Sequence, residues 1–170
     1  MGSGKSSVAA LLAERAVEKA IDLDDVMAEQ TGMSIAQIFS EQGEAVFREL
    51  ETKTLAELPA NEDLVVACGG GIVERQENRE LLRGRGIVIW LDLPWETQRA
   101  RLESIDTDDR PLIVNHSWRE IEDLHRRRRI LYARTAHFRL RGDQATADIL
   151  AHQVLIRRLN WEKRRREGDA

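Results

Sequence analysis

The chain has 170 residues, enough for one domain whose core needs no disulfide or metal staple. Lys and Arg number 26 against 30 Asp and Glu; the formal net charge of −4 weighs against a dedicated nucleic-acid coat or a polybasic membrane binder. One cysteine, Cys68, excludes an internal disulfide and a multi-cysteine zinc site and fits a reducing cytoplasm, and no apolar stretch approaches the ~20 residues of a membrane span. The first residues carry no signal-peptide pattern, and the expectation is a soluble, intracellular, single-domain protein.

In chain order, Ser6 to about Ala20 has helical spacing, with Val8, Leu11, Leu12 and Ala16 on one face. A short strand, 20–23, follows. Ser34 with Gln37 three residues on forms a capping-box pattern that opens one long helix through Phe47 towards Leu58, where Pro59 and Asn61 break it. The apolar runs 64–68 and 87–91 suit strands buried on both faces, as in a parallel sheet. Further helices are predicted over 75–84, 94–103, 117–134 and 144–165, and a last, exposed strand over 138–140. This alternation predicts a doubly wound α/β sheet. The polar stretch 104–117, containing Pro111, has the length of a lid. Residues 161–170 read as a charged, fraying helix tail beyond a domain spanning 1–160.

Gly2-Ser3-Gly4-Lys5-Ser6-Ser7 leads straight into the first helix, as in the second half of a phosphate-binding P-loop, G-x-x-x-x-G-K-[ST]. In that pattern backbone N–H groups close on phosphate oxygens, the lysine reaches the β/γ-phosphates and the hydroxyl serves Mg²⁺. A linker-derived Met-Gly-Ser-Gly start is the competing explanation. The first glycine of the pattern falls two residues ahead of Met1, and the strand feeding such a loop, about five or six residues, ahead of that. Met1 is therefore expected to be an internal methionine of the loop, or the chain to be a truncated one.

Asp22 and Asp24, at period two on a strand, are expected to share one face, where one can hold Mg²⁺ through water and the other accept a proton from a hydroxyl; a solvated turn with Asp25 as helix cap is the competing reading. Arg48 and Glu51 are i,i+3, which lets the carboxylate orient a guanidinium for a substrate carboxylate or make a plain surface ion pair. Gly69-Gly70-Gly71 after a buried strand permits close ligand approach to the backbone. Arg110 lies in the lid stretch. Of the run Arg126–Arg129, one or two side chains can face a site. His116, His125, His137 and His152 show no ligand spacing, and Cys68 is taken as a small core residue.

Taken in order, these residues resemble the shikimate kinases over nearly the whole chain, from Met1 to about Leu159. The resemblance rests on Gly4-Lys5-Ser6, Asp22-x-Asp24, Thr31-Gly32, Gly43-Glu44, Phe47-Arg48 with Glu51, Gly69-Gly70-Gly71, Asn78-Arg79, Arg110-Pro111-Leu112 and Arg128 with Leu131-Tyr132. It implies a three-layer α/β/α P-loop fold, parallel strand order 2-3-1-4-5 with the first strand absent from this chain, and a lid. It implies ATP-dependent phosphorylation of the shikimate 3-hydroxyl with ATP and Mg²⁺, and no nucleic-acid or membrane partner.

By position, Gly2, Gly4, Lys5, Ser6 and Ser7 would hold the nucleotide phosphates, with Arg101 beside adenine and Arg110 on the phosphates from the lid. Ser6 and Asp22 would serve Mg²⁺. Asp24 would bind the substrate hydroxyls and act as base, Arg48 and Arg128 would clamp the carboxylate, and Gly70 would meet the ring. Lys5, Asp24 and Arg110 would be the catalytic set. The chain departs from the family at Ala28, where a Glu is usual, at Ile130, where a proline is usual, and at 140–143 on the adenine side. A truncated or inactive relative that binds without efficient catalysis, or a related small-molecule kinase, is the alternative.

Overall fold

A computed structural model of the chain describes residues 2–60, 62–104 and 116–168. Helix α1 (Lys5–Ala16) is followed by β1 (Lys19–Asp22), α2 (Leu23–Thr31), α3 (Ile35–Gln37) and α4 (Gly43–Glu57). Then come β2 (Leu64–Ala67), a 3₁₀ turn (Gly70–Val73), α5 (Gln76–Arg85), β3 (Ile89–Asp92) and α6 (Trp95–Glu103). The chain closes with α7 (Trp118–Thr135), β4 (Phe138–Arg141) and α8 (Ala147–Glu167).

Several expected boundaries move. The first helix ends at Ala16, because Val17 takes the left-handed conformation at its C-cap, φ 57° and ψ 43°. Residue 23 belongs to a helix rather than a strand. The Asp22 side chain accepts a hydrogen bond from the Asp24 amide (3.1 Å) and so caps α2, while Leu23 and Met27, four apart, bury completely. The two carboxylates therefore do not share one strand face: Asp22 caps the helix and Asp24 stands in its first turn.

The single helix expected from Ser34 to Leu58 is broken. Ser34 and Gln37 do form the capping box, but Ile38–Gln42 coil as a π-helical turn and Gly43, φ 83°, starts a separate α4. The kink lets Phe39 fold back on Phe47, ring centroids 4.4 Å apart, beside buried Met27 and Ile38. The last strand is not an exposed one, since Leu140 is buried in the core. The expected tail continues as helix to Glu167, and Trp161 packs edge-on against His137 and Phe138.

Among the described residues the strands form two parallel pairs. β1 pairs with β2 (Lys19 opposite Leu64 to Asp22 opposite Ala67), and β3 with β4 (Ile89 opposite Phe138 to Asp92 opposite Arg141). These are the 2-3 and 4-5 neighbours of the expected order. Between β2 and β3 lies a cavity of about 970 Å³, lined by Val65, Val66, Ile89 and Leu91 and by Val8 and Leu12 of α1.

One apolar cluster joins α1 (Val8, Leu12) and α8 (Leu150, Ala151, Val154) to Val65, Ala67 and Leu140 of the strands. A second joins Leu23, Leu55, Ile72 and Val73, with Leu81, Leu131 and Tyr132 from α5 and α7 packed against it. Helices thus cover both faces of the strand layer. No helix among the described residues is long and apolar enough to cross a membrane.

Candidate active site

The strands point their C-terminal ends at one edge, and the candidate residues collect there, as expected for an open α/β sheet. Gly2 and Gly4 both take positive φ (68° and 78°), and Gly4 is the N-cap of α1 without any side-chain cap. A side chain at Gly4 would strain this turn. The first turn of a helix has no intrahelical acceptors for its N–H groups, and the positive end of the helix dipole makes this end of α1 suited to an anion. Lys5 opens the helix, close enough to Asp24 to favour its ionised form.

The Ser6 hydroxyl donates to an Asp22 carboxylate oxygen at 2.8 Å, which joins the two expected metal residues directly. Both offer oxygen, the donor type Mg²⁺ prefers, and neither supplies a nitrogen or sulfur that would select another metal. Ser7 is exposed on the same first turn. Arg101 comes to the loop from α6, donating to the carbonyls of Gly2 (3.1 Å) and Gly142 (3.2 Å) and so tying the glycine turn to the segment after β4. Arg110, with Pro111 and Leu112 of the expected lid, lies outside the described residues.

On the other side of the edge, Asp24, Arg48, Glu51 and Arg128 converge on Gly69–Gly71. The Arg48 guanidinium lies against Gly71 so closely that a Cβ there would sit 2.2 Å from a guanidinium nitrogen, so any side chain at 71 would push Arg48 from its place. Arg48 donates to Glu51 (2.9 Å) and to Glu44 (3.1 Å). Burial works against its charge, but Glu51, Glu74 and Glu44 hold it above the ordinary arginine value. A Cβ on Gly69 would touch Oε1 of Glu51 and Oδ1 of Asp24.

Oε1 of Glu51, Oδ1 of Asp24 and Nε of Arg48 are all buried and have no partner. Unpaired buried polar atoms are costly. Three of them around one glycine turn mark a place where a polar ligand belongs. Burial pushes the Asp24 carboxyl up, and the neighbouring Asp22 charge adds to the shift. Burial also pushes Glu51 up and outweighs its pair with Arg48. Arg128, buried on α7, pairs with Glu74 just after the 3₁₀ turn (Nε to Oε1, 2.7 Å), and Tyr132 donates its hydroxyl to the Gly70 carbonyl at 2.6 Å.

The arginine run divides as helical geometry requires. Arg126 is exposed and paired with Glu122 and Asp123, Arg127 is exposed, Arg128 enters the site, and Arg129 turns to buried Asp92 (3.1 Å). The Cys68 thiol is pushed up to about 12 by burial and stays protonated, as a packing residue would. Ile130 is exposed. Sequence reasoning gave no role to Glu74. Its partner is 54 residues away, and its one local signal is a place directly after the glycine turn.

A three-layer sheet with a glycine turn and Lys-Ser at the start of a helix, facing a pocket of paired carboxylates and arginines, defines the class of P-loop phosphotransferases acting on small acceptors. The sequence model of the family described as shikimate kinase matches residues 1–158. The shikimate kinase of Sulfurihydrogenibium sp. is 37% identical over 157 residues, covering 92% of this chain and 92% of that protein. Among solved structures, shikimate kinase from Acinetobacter baumannii in complex with shikimate matches at TM-score 0.84 and 37% identity, covering 91% of this chain and 86% of the other. Shikimate kinase from Aquifex aeolicus matches at TM-score 0.76 and 31% identity, covering 92% and 89%. The chain belongs to the shikimate kinase family.

Proposed function

We propose that this chain transfers the γ-phosphoryl group of ATP to the 3-hydroxyl of shikimate, with Asp24 as the base. The carrying observation is the unpartnered trio of Asp24 Oδ1, Glu51 Oε1 and Arg48 Nε around Gly69–Gly71. The acceptor oxygen forms a bond to the γ-phosphorus as the bond to the β-phosphate oxygen breaks, ADP leaves, and the hydroxyl proton passes to Asp24. Its raised carboxyl makes Asp24 a better proton acceptor than a solvated aspartate. Arg48 and Arg128 take the shikimate carboxylate, and Gly70 offers its backbone to the ring.

Gly2, Gly4, Lys5, Ser6 and Ser7 cradle the phosphates, Arg101 flanks the nucleotide, and Arg110 closes on the phosphates from the lid. Ser6 and Asp22 would hold Mg²⁺, which supplies charge neutralisation at the β/γ-phosphates when bound. Catalysis is then mainly positioning and electrostatics. The chain acts as a cytoplasmic monomer on small molecules. Net charge −4 and an arginine run dispersed into separate ion pairs support the absence of a nucleic-acid partner.

The test is coupled ADP release from the purified chain with ATP, Mg²⁺ and shikimate. Release that requires shikimate is expected; release indifferent to shikimate, or none, removes the proposal. Arg48→Lys is the companion variant, because Arg48→Ala would leave buried Glu51 without its cation. Lysine keeps the charge and loses the fork, so KM for shikimate should rise about tenfold while KM for ATP holds.

A further inference from the structure

Arg128 already carries a carboxylate. Its side chain is 9% exposed, and Oε1 of Glu74 contacts both Nε (2.7 Å) and a terminal nitrogen (2.5 Å) of the guanidinium. This engages one whole edge of the planar fork. Glu74 also acts on Arg48, whose charge it favours. The two arginines facing Gly69–Gly71 are therefore surrounded by Asp24, Glu44, Glu51 and Glu74, more negative charge than the pair can neutralise.

These carboxylates differ in what holds them. Glu51 is fully buried on α4, and Asp24 is fixed in the first turn of α2. Glu44 is mostly exposed and reaches Arg48 along its own helix. Glu74 sits at the end of the short 3₁₀ turn with its side chain 33% exposed, and it has solvent to move into.

We propose that Glu74 is an internal counter-ion that an anionic substrate displaces or shares at Arg128, and that it thereby sets the affinity of the site for the substrate carboxylate. This rests on the shikimate reading of the site. An incoming carboxylate competes with one already in place, so part of the Arg128–substrate attraction goes to releasing Glu74. Glu74 also keeps Arg128 compensated while no substrate is bound. Removing its charge leaves Arg128 in place and free to take the ligand on both edges.

The experiment compares the whole chain with Glu74→Gln, using shikimate and its methyl ester as acceptor ligands and thermal melting as the fold control. KM for shikimate should fall about three- to tenfold in Glu74→Gln, KM for ATP should stay within about twofold, and affinity for the uncharged ester should not improve. Glu74→Asp, which keeps the charge on a shorter stem, should show a smaller gain. An unchanged or raised KM for shikimate would make Glu74 a support of Arg128 and overturn the proposal. An equal gain for the ester would also overturn it, since a steric effect would then be at work. Failure of the parent chain to use shikimate at all would remove the functional proposal, and this inference with it. Normal parent turnover with no response in Glu74→Gln would remove this inference alone.

Discussion

Asp24 is where function and stability pull apart. Burial, and then the Asp22 charge, raise its carboxyl above the ordinary aspartate value, with Lys5 and Arg48 opposing. A raised carboxyl means that the folded chain holds the proton more tightly than the unfolded chain. The stabilisation this brings is full below the unfolded value and is lost as pH rises through the folded value. At neutral pH the ionised Asp24 is thus a cost the fold carries. Asp24→Asn keeps the shape and removes the charge, so it should abolish turnover while raising Tm by a few degrees at neutral pH. The two chains should converge in Tm below about pH 4, where the aspartate is protonated in both states. Melting curves across pH check this; a lower Tm at neutral pH would show that attraction to Lys5 and Arg48 outweighs burial. The activity of the parent chain should also fall on the acid side from a pH above the usual carboxylate range. Asp24 was legible from its spacing to Asp22 and Arg48 from its i,i+3 spacing to Glu51, whereas Arg128 stood out from its run only through the family resemblance. Glu74 was not legible, because its meaning lies in a contact made across the fold.

At the scale of elements, the break after α1 offers a clean test. Val17 is a β-branched residue in the left-handed conformation, and it is 93% exposed. Left-handed geometry costs an L-residue about 1–2 kcal/mol, and a helix C-terminus usually assigns it to glycine. Val17→Gly loses almost no burial. It should stabilise the chain by about 1 kcal/mol after the entropy of glycine is subtracted, or about 2–4 °C in Tm at this chain length. Calorimetry measures it, and no gain would mean that the Val17 conformation is not strained. The same turn shows what the sequence could not reveal. Apolar spacing continued to Ala20, so nothing local stopped the helix at Ala16. The capping box at Ser34 and the apolar runs of β2 and β3 were legible because each is a local rule satisfied by adjacent residues. The break at Gly43 and the helix from Leu23 were not. Both depend on packing between segments, with Phe39 against Phe47 in one case and Leu23 and Met27 buried under other elements in the other.

At the scale of the described molecule, the two strand pairs are joined through the helical layer. Among the described residues the two parallel pairs share no backbone ladder, and the cavity of about 970 Å³ lies between them. The connection runs through the helical layer, where Val8 and Leu12 of α1 meet Leu150, Ala151 and Val154 of α8 and reach Val65 on one pair and Leu140 on the other. Leu12, 7% exposed, also borders the cavity. Its truncation would enlarge the space beside it, so Leu12→Ala should cost about 3–4 kcal/mol, in the middle of the range for such changes. The loss should fall on the joint between the pairs more than on either pair. All four tryptophans, at 90, 95, 118 and 161, lie in the part of the chain built around β3 and β4, so their fluorescence reports that part, whereas far-ultraviolet circular dichroism reports every helix. In the parent chain the two signals should lose structure at one denaturant concentration. In Leu12→Ala they should separate, with circular dichroism falling first as α1 and the β1–β2 side detach and fluorescence following. Coincident transitions in the variant would show that the pairs are coupled by contacts other than the α1–α8 core, because a two-state chain gives the same midpoint to every probe.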